Sequence, residues 1–107
     1  MKSDRVYLKH ILDEINFLLK ETGGIESEDF KQNELLKRAG TRSLEIIGEA
    51  AKNLSPDFKK LHSDIEWKKI AGMRDKIIHL YFGVNWDIVW DVIKNRLPLL
   101  KEQLERF

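Results

Sequence analysis

Apolar side chains recur at helical spacing along nearly the whole of this chain, and the polar residues between them fall on the opposite side. Leu8, Ile11, Leu12, Ile15, Leu18 and Leu19 are separated by one, three or four positions, with Lys9, Asp13, Glu14 and Lys20 between them. That is the pattern of an amphipathic helix with one face on a core. Ser3 or Asp4 can cap its start, and Gly23-Gly24 stops it, because glycine takes backbone angles that a helix cannot use. After Ser27 and Glu28, which read as a helix start, Phe30, Leu35, Leu36, Ala39, Ser43, Ile46, Ile47, Ala50, Ala51 and Leu54 form a second, long stripe. Gly40, Ser43, Gly48, Ala50 and Ala51 keep parts of that helix thin, so another helix can approach closely. Gly40 and Gly48 each cost about 1 kcal/mol against alanine in a helix interior, and close packing is the expected compensation.

Ser55-Pro56 ends the stripe and starts a short turn that runs through Leu61, since the residue before a proline is pushed out of the helical region. Asp64 and Glu66 then supply acidic residues for the first turn of a third long helix, with Trp67, Ile70, Ala71, Ile77 and Ile78 as its buried positions and Gly83 as its stop. Asn85 caps a last helix that carries Ile88, Val89, Val92 and Ile93. Pro98 is expected to kink or break that helix before Leu99, Leu100 and Leu104 continue the pattern. No segment alternates with period two. The reading is an all-α antiparallel bundle of four long helices with an additional short helix, in one domain spanning residues 1–107.

Composition narrows what such a bundle can do. At 107 residues the chain has room for one core, and a net charge of +1 with 35% charged residues means that any contact with a polyanion must be local rather than driven by the field of the whole molecule. Cysteine is absent, so there are no disulfides or thiolate metal sites, which fits a reducing compartment. The N-terminal apolar pattern is broken by Lys9, His10, Asp13 and Glu14, unlike a signal peptide or membrane span. A cytoplasmic location is expected, with no membrane association.

The candidate chemistry sits in Arg74-Asp75-Lys76-Ile77-Ile78-His79-Leu80-Tyr81, which sets a guanidinium, an imidazole and a phenol in one otherwise apolar helical stretch. Arginine holds phosphate oxygens through a rigid fork of donors, and histidine can give and take a proton near neutral pH. At about 100° per residue, Arg74 and Tyr81 fall within roughly 20° of each other, whereas Arg74 and His79 diverge by about 140°. A site that uses both needs long side chains meeting at a groove edge, a fraying helix end, or a second copy of the helix from a partner subunit. The last option predicts a homodimer, in which a motif near the two-fold axis meets its own duplicate.

Such a groove suits cleavage of RNA without a metal or any other cofactor. One imidazole withdraws the proton of a ribose 2′-hydroxyl, that oxygen attacks the neighbouring phosphorus, and an imidazolium protonates the departing oxygen. Arg74 would stabilise the added negative charge. Lys59, Lys60, Lys68, Lys69 and Lys76 can hold the strand by its phosphates, although lysines in such positions are more often a solvated face. A structural role for Arg74 and His79 also stays open on spacing alone. His10 and His62 read as solvated, and no His-Glu-x-x-His pattern or carboxylate cluster stands at metal-ligand spacing. Trp67, Trp86 and Trp90 read as core or interface anchors.

The string from Arg74 to Tyr81, together with Ile47-Gly48-Glu49-Ala50-Ala51 and Trp67-Lys68-Lys69-Ile70-Ala71-Gly72-Met73, resembles the HepT-like family of HEPN-domain toxins. The similarity extends from Tyr7-Leu8 through Asp29-Phe30 to Trp90 and Leu97-Pro98. It implies a helical HEPN bundle that dimerises with its Arg-x4-His motifs facing a shared cleft and acts as a metal-independent endoribonuclease. It also implies a genetic partner, a minimal nucleotidyltransferase that serves as antitoxin and transfers AMP from ATP to the motif tyrosine, here Tyr81, in a type VII-like toxin-antitoxin system. Asp75 stands where members usually carry Asn or another neutral polar residue, and its carboxylate can pair with Arg74 or Lys76, repel RNA and lower activity. Glu49 can reach the cleft and orient Arg74 or His79, or be an ordinary helix-surface or interface residue. The competing reading is a non-catalytic helical binding partner of the nucleotidyltransferase or of a nucleotide, and a weaker one is a structural adaptor without chemistry.

Overall fold

Helix dominates the computed structural model, which describes residues 3–79 and 83–107 and, for Arg74 and residues 76–79, the backbone. The elements in chain order are α1 (Asp4–Glu21), α2 (Ser27–Gln32), α3 (Glu34–Asn53), α4 (Pro56–Leu61), α5 (Trp67–His79), α6 (Trp86–Asp91), a π-helical turn (Val92–Arg96) and α7 (Leu97–Leu104). No strand occurs among the described residues, and no helix there is long and apolar enough to cross a membrane. The all-α bundle expected from the apolar pattern is the observed architecture. Its long members are α1, α3, α5 and the run from α6 through α7, with α2 and α4 as short additions.

Helix α3 is the central rod, packed against α1 on one side and α5 on another. Ile11, Ile15 and Leu18 of α1 meet Leu44, Ile47 and Ala51 of α3 in one buried cluster, closed by Ile93, Leu97, Leu100 and Leu104. The small residues Gly40, Ser43, Gly48, Ala50 and Ala51 are all buried. Two polar ties fix the register of α1 against the α3 segment. The Ser43 hydroxyl donates to Glu14 Oε1 at 2.8 Å, and the Ser55 amide and hydroxyl both donate to the Asp4 carboxylate at 2.7 Å. As the numbers rise along one helix they fall along the other, so the pair is antiparallel. A buried Ser43 left without an acceptor would cost about 1–3 kcal/mol, which is why a carboxylate is tolerated beside it.

Several boundaries differ from expectation. The second stripe is two helices, because Asn33 leaves the helical region (φ −101°, ψ 98°) as both the C-cap of α2 and the N-cap of α3. Its Oδ1 accepts the Leu36 amide at 3.0 Å, an alternative to continued helix that asparagine readily offers. Consequently Phe30 is fully buried while Leu35, read as part of the same stripe, is 78% exposed. The cap of α2 is Glu26 rather than Ser27, in a reciprocal box with Asp29. Ser3 occupies the cap position of α1 without a side-chain bond, and Asp4 reaches across to Ser55 instead.

Asp64 and Glu66 precede α5 rather than forming its first turn: the Glu66 carbonyl accepts the first helical bond from Ile70, and Asp64 pairs with Arg106 at 2.8 Å. Pro98 neither kinks nor breaks its helix abruptly. The backbone stays helical, and the Leu97 amide reaches back five residues to the Val92 carbonyl. This wider turn delivers Pro98 into the first turn of α7, where its missing N–H matters least. Within the last helix Ile88 and Leu99 prove exposed, and Val89, Ile93, Leu97, Leu100 and Leu104 form the buried stripe.

Other expectations hold. Gly24 adopts φ +80° in the turn after α1, Ser55 Oγ accepts the Phe58 amide at 3.1 Å, and Asn85 Oδ1 accepts those of Asp87 and Ile88. Trp67 is buried, and Trp86 and Trp90 pack on Phe30 with ring centroids 6.2 and 5.2 Å away. His62 is half-buried rather than solvated: its ring lies between Phe58 and Phe107, at 4.6 and 4.3 Å, and its carbonyl accepts Trp67 Nε1 at 3.0 Å. His10 is also half-buried, edge-on to Tyr7. The side chains of Ile77 and Ile78 lie outside the described residues, as do residues 80–82, which separate His79, the last residue of α5, from the expected stop at Gly83.

Candidate active site on helix α5

Arg74 and His79 belong to the same helix, α5, of which His79 is the final residue. The five-residue separation therefore sets the two backbone positions about 140° apart around the helix axis. The side chains of Arg74, Lys76 and His79 lie outside the described residues, as does all of Tyr81. Asp75 is exposed on α5, and Glu49 is exposed on α3, the helix that α5 packs against. The Glu49 carbonyl accepts Asn53 Nδ2 at 2.8 Å, an ordinary bond within the helix.

Of the lysines expected to face RNA, Lys68 and Lys69 sit at the start of α5 and Lys59 and Lys60 on α4, while Lys76 follows Arg74 by two residues. Lys68 and Lys69 are exposed in the first turn of α5. Lys69 pairs with Glu66 at 3.3 Å, with both side chains more than half exposed. Pairs of that kind contribute about 0–1 kcal/mol and yield easily to a phosphate. Lys59 instead donates to the Lys52 carbonyl at 3.3 Å, while Lys60 is exposed. Lys68 and Lys69 precede Arg74 by five and six residues, which sets them roughly 8–9 Å from it along the helix axis.

One recess near this segment was not anticipated from the sequence. A groove of about 370 Å³ is lined by Glu34, Lys37, Arg38, Thr41 and Glu45 of α3 and by Val84 and Trp86. Lys37 pairs with Glu34 at 3.0 Å and sets its ammonium 4.9 Å from the centre of the Trp86 ring. The bond from Lys37 holds the Glu34 carboxyl below its ordinary range. Glu45 is paired with Arg42 at 3.4 Å. The signal was present in the chain, since Lys37, Thr41 and Glu45 are spaced four apart and share one face of a helix. What the sequence could not show is that Val84 and Trp86, some forty residues later, close that face into a groove.

Comparison with known proteins agrees with this architecture. The chain is 53% identical over 105 residues, 98% of its length and 94% of the relative's, to a protein of Caldanaerobacter subterraneus subsp. tengcongensis named "Putative RNase". It is 43% identical over 105 residues, 98% of its length and 96% of the relative's, to "Probable ribonuclease HepT" of Thermococcus cleftensis. No solved structure matches the chain significantly. The family profile described as "Ribonuclease HepT-like" matches residues 11–107, a span that includes all of α5 and both walls of the groove. With that match covering the chain from the middle of α1 to its last residue, the protein belongs to the HepT-like ribonuclease family.

Proposed function

We propose that this protein is the toxin of a type VII-like toxin-antitoxin pair, an endoribonuclease that cleaves RNA without a metal and works in the cytoplasm as a homodimer. The observation that carries the reading is that Arg74 and His79 lie on one continuous helix inside a family match that spans that helix. The two positions lie about 140° apart around one α5, so a second copy of α5 across a two-fold axis supplies what one copy lacks. In the cleft, one His79 imidazole takes the 2′-hydroxyl proton. The 2′-oxygen forms a bond to phosphorus, the bond from phosphorus to the 5′-oxygen breaks, and the imidazolium of the second His79 protonates that oxygen. The products are a 2′,3′-cyclic phosphate and a 5′-hydroxyl. Arg74 holds the non-bridging oxygens as their charge rises. Lys68, Lys69 and Lys76 bind flanking phosphates, Glu49 orients the Arg74 or His79 side chain, and Asp75 tempers the positive field.

Regulation follows from Tyr81, two residues beyond His79. A cognate minimal nucleotidyltransferase transfers AMP to it: the phenol oxygen bonds to the α-phosphorus of ATP, pyrophosphate leaves, and the phenolic proton passes to solvent. The added phosphodiester brings negative charge and bulk to the place where RNA phosphate must sit.

Purified protein should cut mixed cellular RNA in EDTA, and His79→Ala should abolish cleavage and host growth arrest with an unchanged circular-dichroism spectrum and dimer mass. Full activity in His79→Ala, or a strictly monomeric active protein, would sink the proposal. RNA left uncut in EDTA, with a stable complex formed with the nucleotidyltransferase, would establish the non-catalytic partner instead.

A further inference from the structure

We propose that the groove between α3 and the Val84-Trp86 segment is a nucleobase subsite that favours guanine in the RNA strand. The inference rests on the ribonuclease reading for its substrate class, and on the groove's own chemistry for what it binds. A volume of about 370 Å³ lies within the roughly 300–1,000 Å³ of small-ligand pockets. Its charged lining cancels, with Glu34 and Glu45 set against Lys37 and Arg38. Lys37 pairs with Glu34 at 3.0 Å, and Arg38 lies 3.8 Å from the same carboxylate. A phosphate would meet carboxylates there and find no net attraction, so the groove is not a continuation of the backbone track.

A flat, neutral, polar-edged ring fits better. Trp86 is half-buried, its indole meets Phe30 edge-to-face with ring centroids 6.2 Å apart, and the Lys37 ammonium lies 4.9 Å from the indole centre. A base sliding onto the indole displaces the Lys37 ammonium, whose side chain is 14% exposed and paired with Glu34, outward toward the phosphate that the base is attached to. Stacking of this kind accepts any base. Selectivity comes from Glu45, 28% exposed at the groove wall and held in place by Arg42. A carboxylate accepts hydrogen bonds only, and guanine presents two donors side by side, N1–H and the N2 amino group, to its two oxygens. Uracil presents one donor flanked by carbonyl oxygens that the carboxylate repels.

The test uses 2′-O-methyl RNA, which lacks the attacking hydroxyl, so binding is read without cleavage. Fluorescein-labelled pentamers of uridine, with either guanosine or uridine at the centre, are titrated with the full-length protein and followed by anisotropy. The guanosine strand should bind roughly 5- to 100-fold more tightly, the range of one paired base contact. Glu45→Gln, which keeps size but loses one acceptor and the charge, should bring the ratio close to one. Trp86→Phe, chosen to preserve packing on Phe30, should weaken both strands severalfold and leave the ratio intact. Equal binding of the two strands by the wild type, or an unchanged ratio in Glu45→Gln, overturns the proposal. Cleavage of ordinary RNA is scored separately. Cleavage without base preference removes the subsite alone, whereas base preference without cleavage removes the ribonuclease reading and leaves the subsite standing.

Discussion

Replacing Gly40 with alanine should stabilise this protein, although the residue is buried at the centre of the bundle. A methyl group built there would meet Ile93 Cδ1 at 3.6 Å and Phe30 Cε1 and Cζ at 3.7 Å. These are ordinary van der Waals separations, so the site holds a methyl-sized space that glycine leaves unfilled. Alanine improves helix propensity in α3 by about 0.8–1.0 kcal/mol. The buried methyl adds about 0.8 kcal/mol of apolar transfer. Together they amount to about 1.5–2 kcal/mol, or a rise in Tm of roughly 6–12 °C for a domain of this size. Urea unfolding followed by circular dichroism should show a higher midpoint with an unchanged slope. Gly24→Ala is the matched control. Gly24 has open space around it but a φ of +80°, so that variant should lose about 1–2 kcal/mol through backbone strain alone. A lower midpoint for Gly40→Ala would refute the reasoning, and would mean that α3 has to approach its neighbours more closely than these distances indicate.

Asp4→Ala removes the acceptor of both 2.7 Å bonds from Ser55 and should lower stability by about 2–3 kcal/mol in the same urea assay, since it leaves a part-buried amide and the Ser55 hydroxyl without their partner. An unchanged midpoint would show that water replaces Asp4 at no cost. The Asp64 carboxyl is held below its ordinary 3.8 by the hydrogen bond from Arg106, so its contribution is fully present above that value and is lost as pH falls through the lower folded value. Asp64→Asn should therefore flatten the fall in urea midpoint below about pH 4, and an identical acid limb in both proteins would refute that assignment.

Much of the bundle was readable in the chain because helix periodicity is a local property. The stripe through Ile11, Ile15 and Leu18, the Gly24 turn, the Ser55-Pro56 start of α4 and the Asn85 cap each depend on residues within one or two turns of one another. The errors fell where a local signal had two physical outcomes. Asn33 sits inside an apolar rhythm that continues across it, yet its side chain caps the next helix and splits the stripe. Pro98 carries a local rule against helix, and the π turn of Val92–Arg96 satisfies the rule without a break. His62 reads as polar and solvated until Phe58 and Phe107, forty-nine residues apart, close around it.

For the candidate site the division is sharper. The sequence by itself determined that Arg74 and His79 share a helix and diverge around it, because residue spacing and the pitch of a helix suffice for that. It also carried the family resemblance that the comparisons bear out. Only the tertiary structure decided that α3 lies along α5, that Asp4 is committed to Ser55 rather than to its own helix end, and that Lys37, Thr41 and Glu45 face Trp86 across a groove. The physical reason is that such contacts join residues far apart along the chain, fifty-one positions for Asp4 and Ser55. They form when the buried faces of separate helices choose one another, and no window of sequence contains both partners.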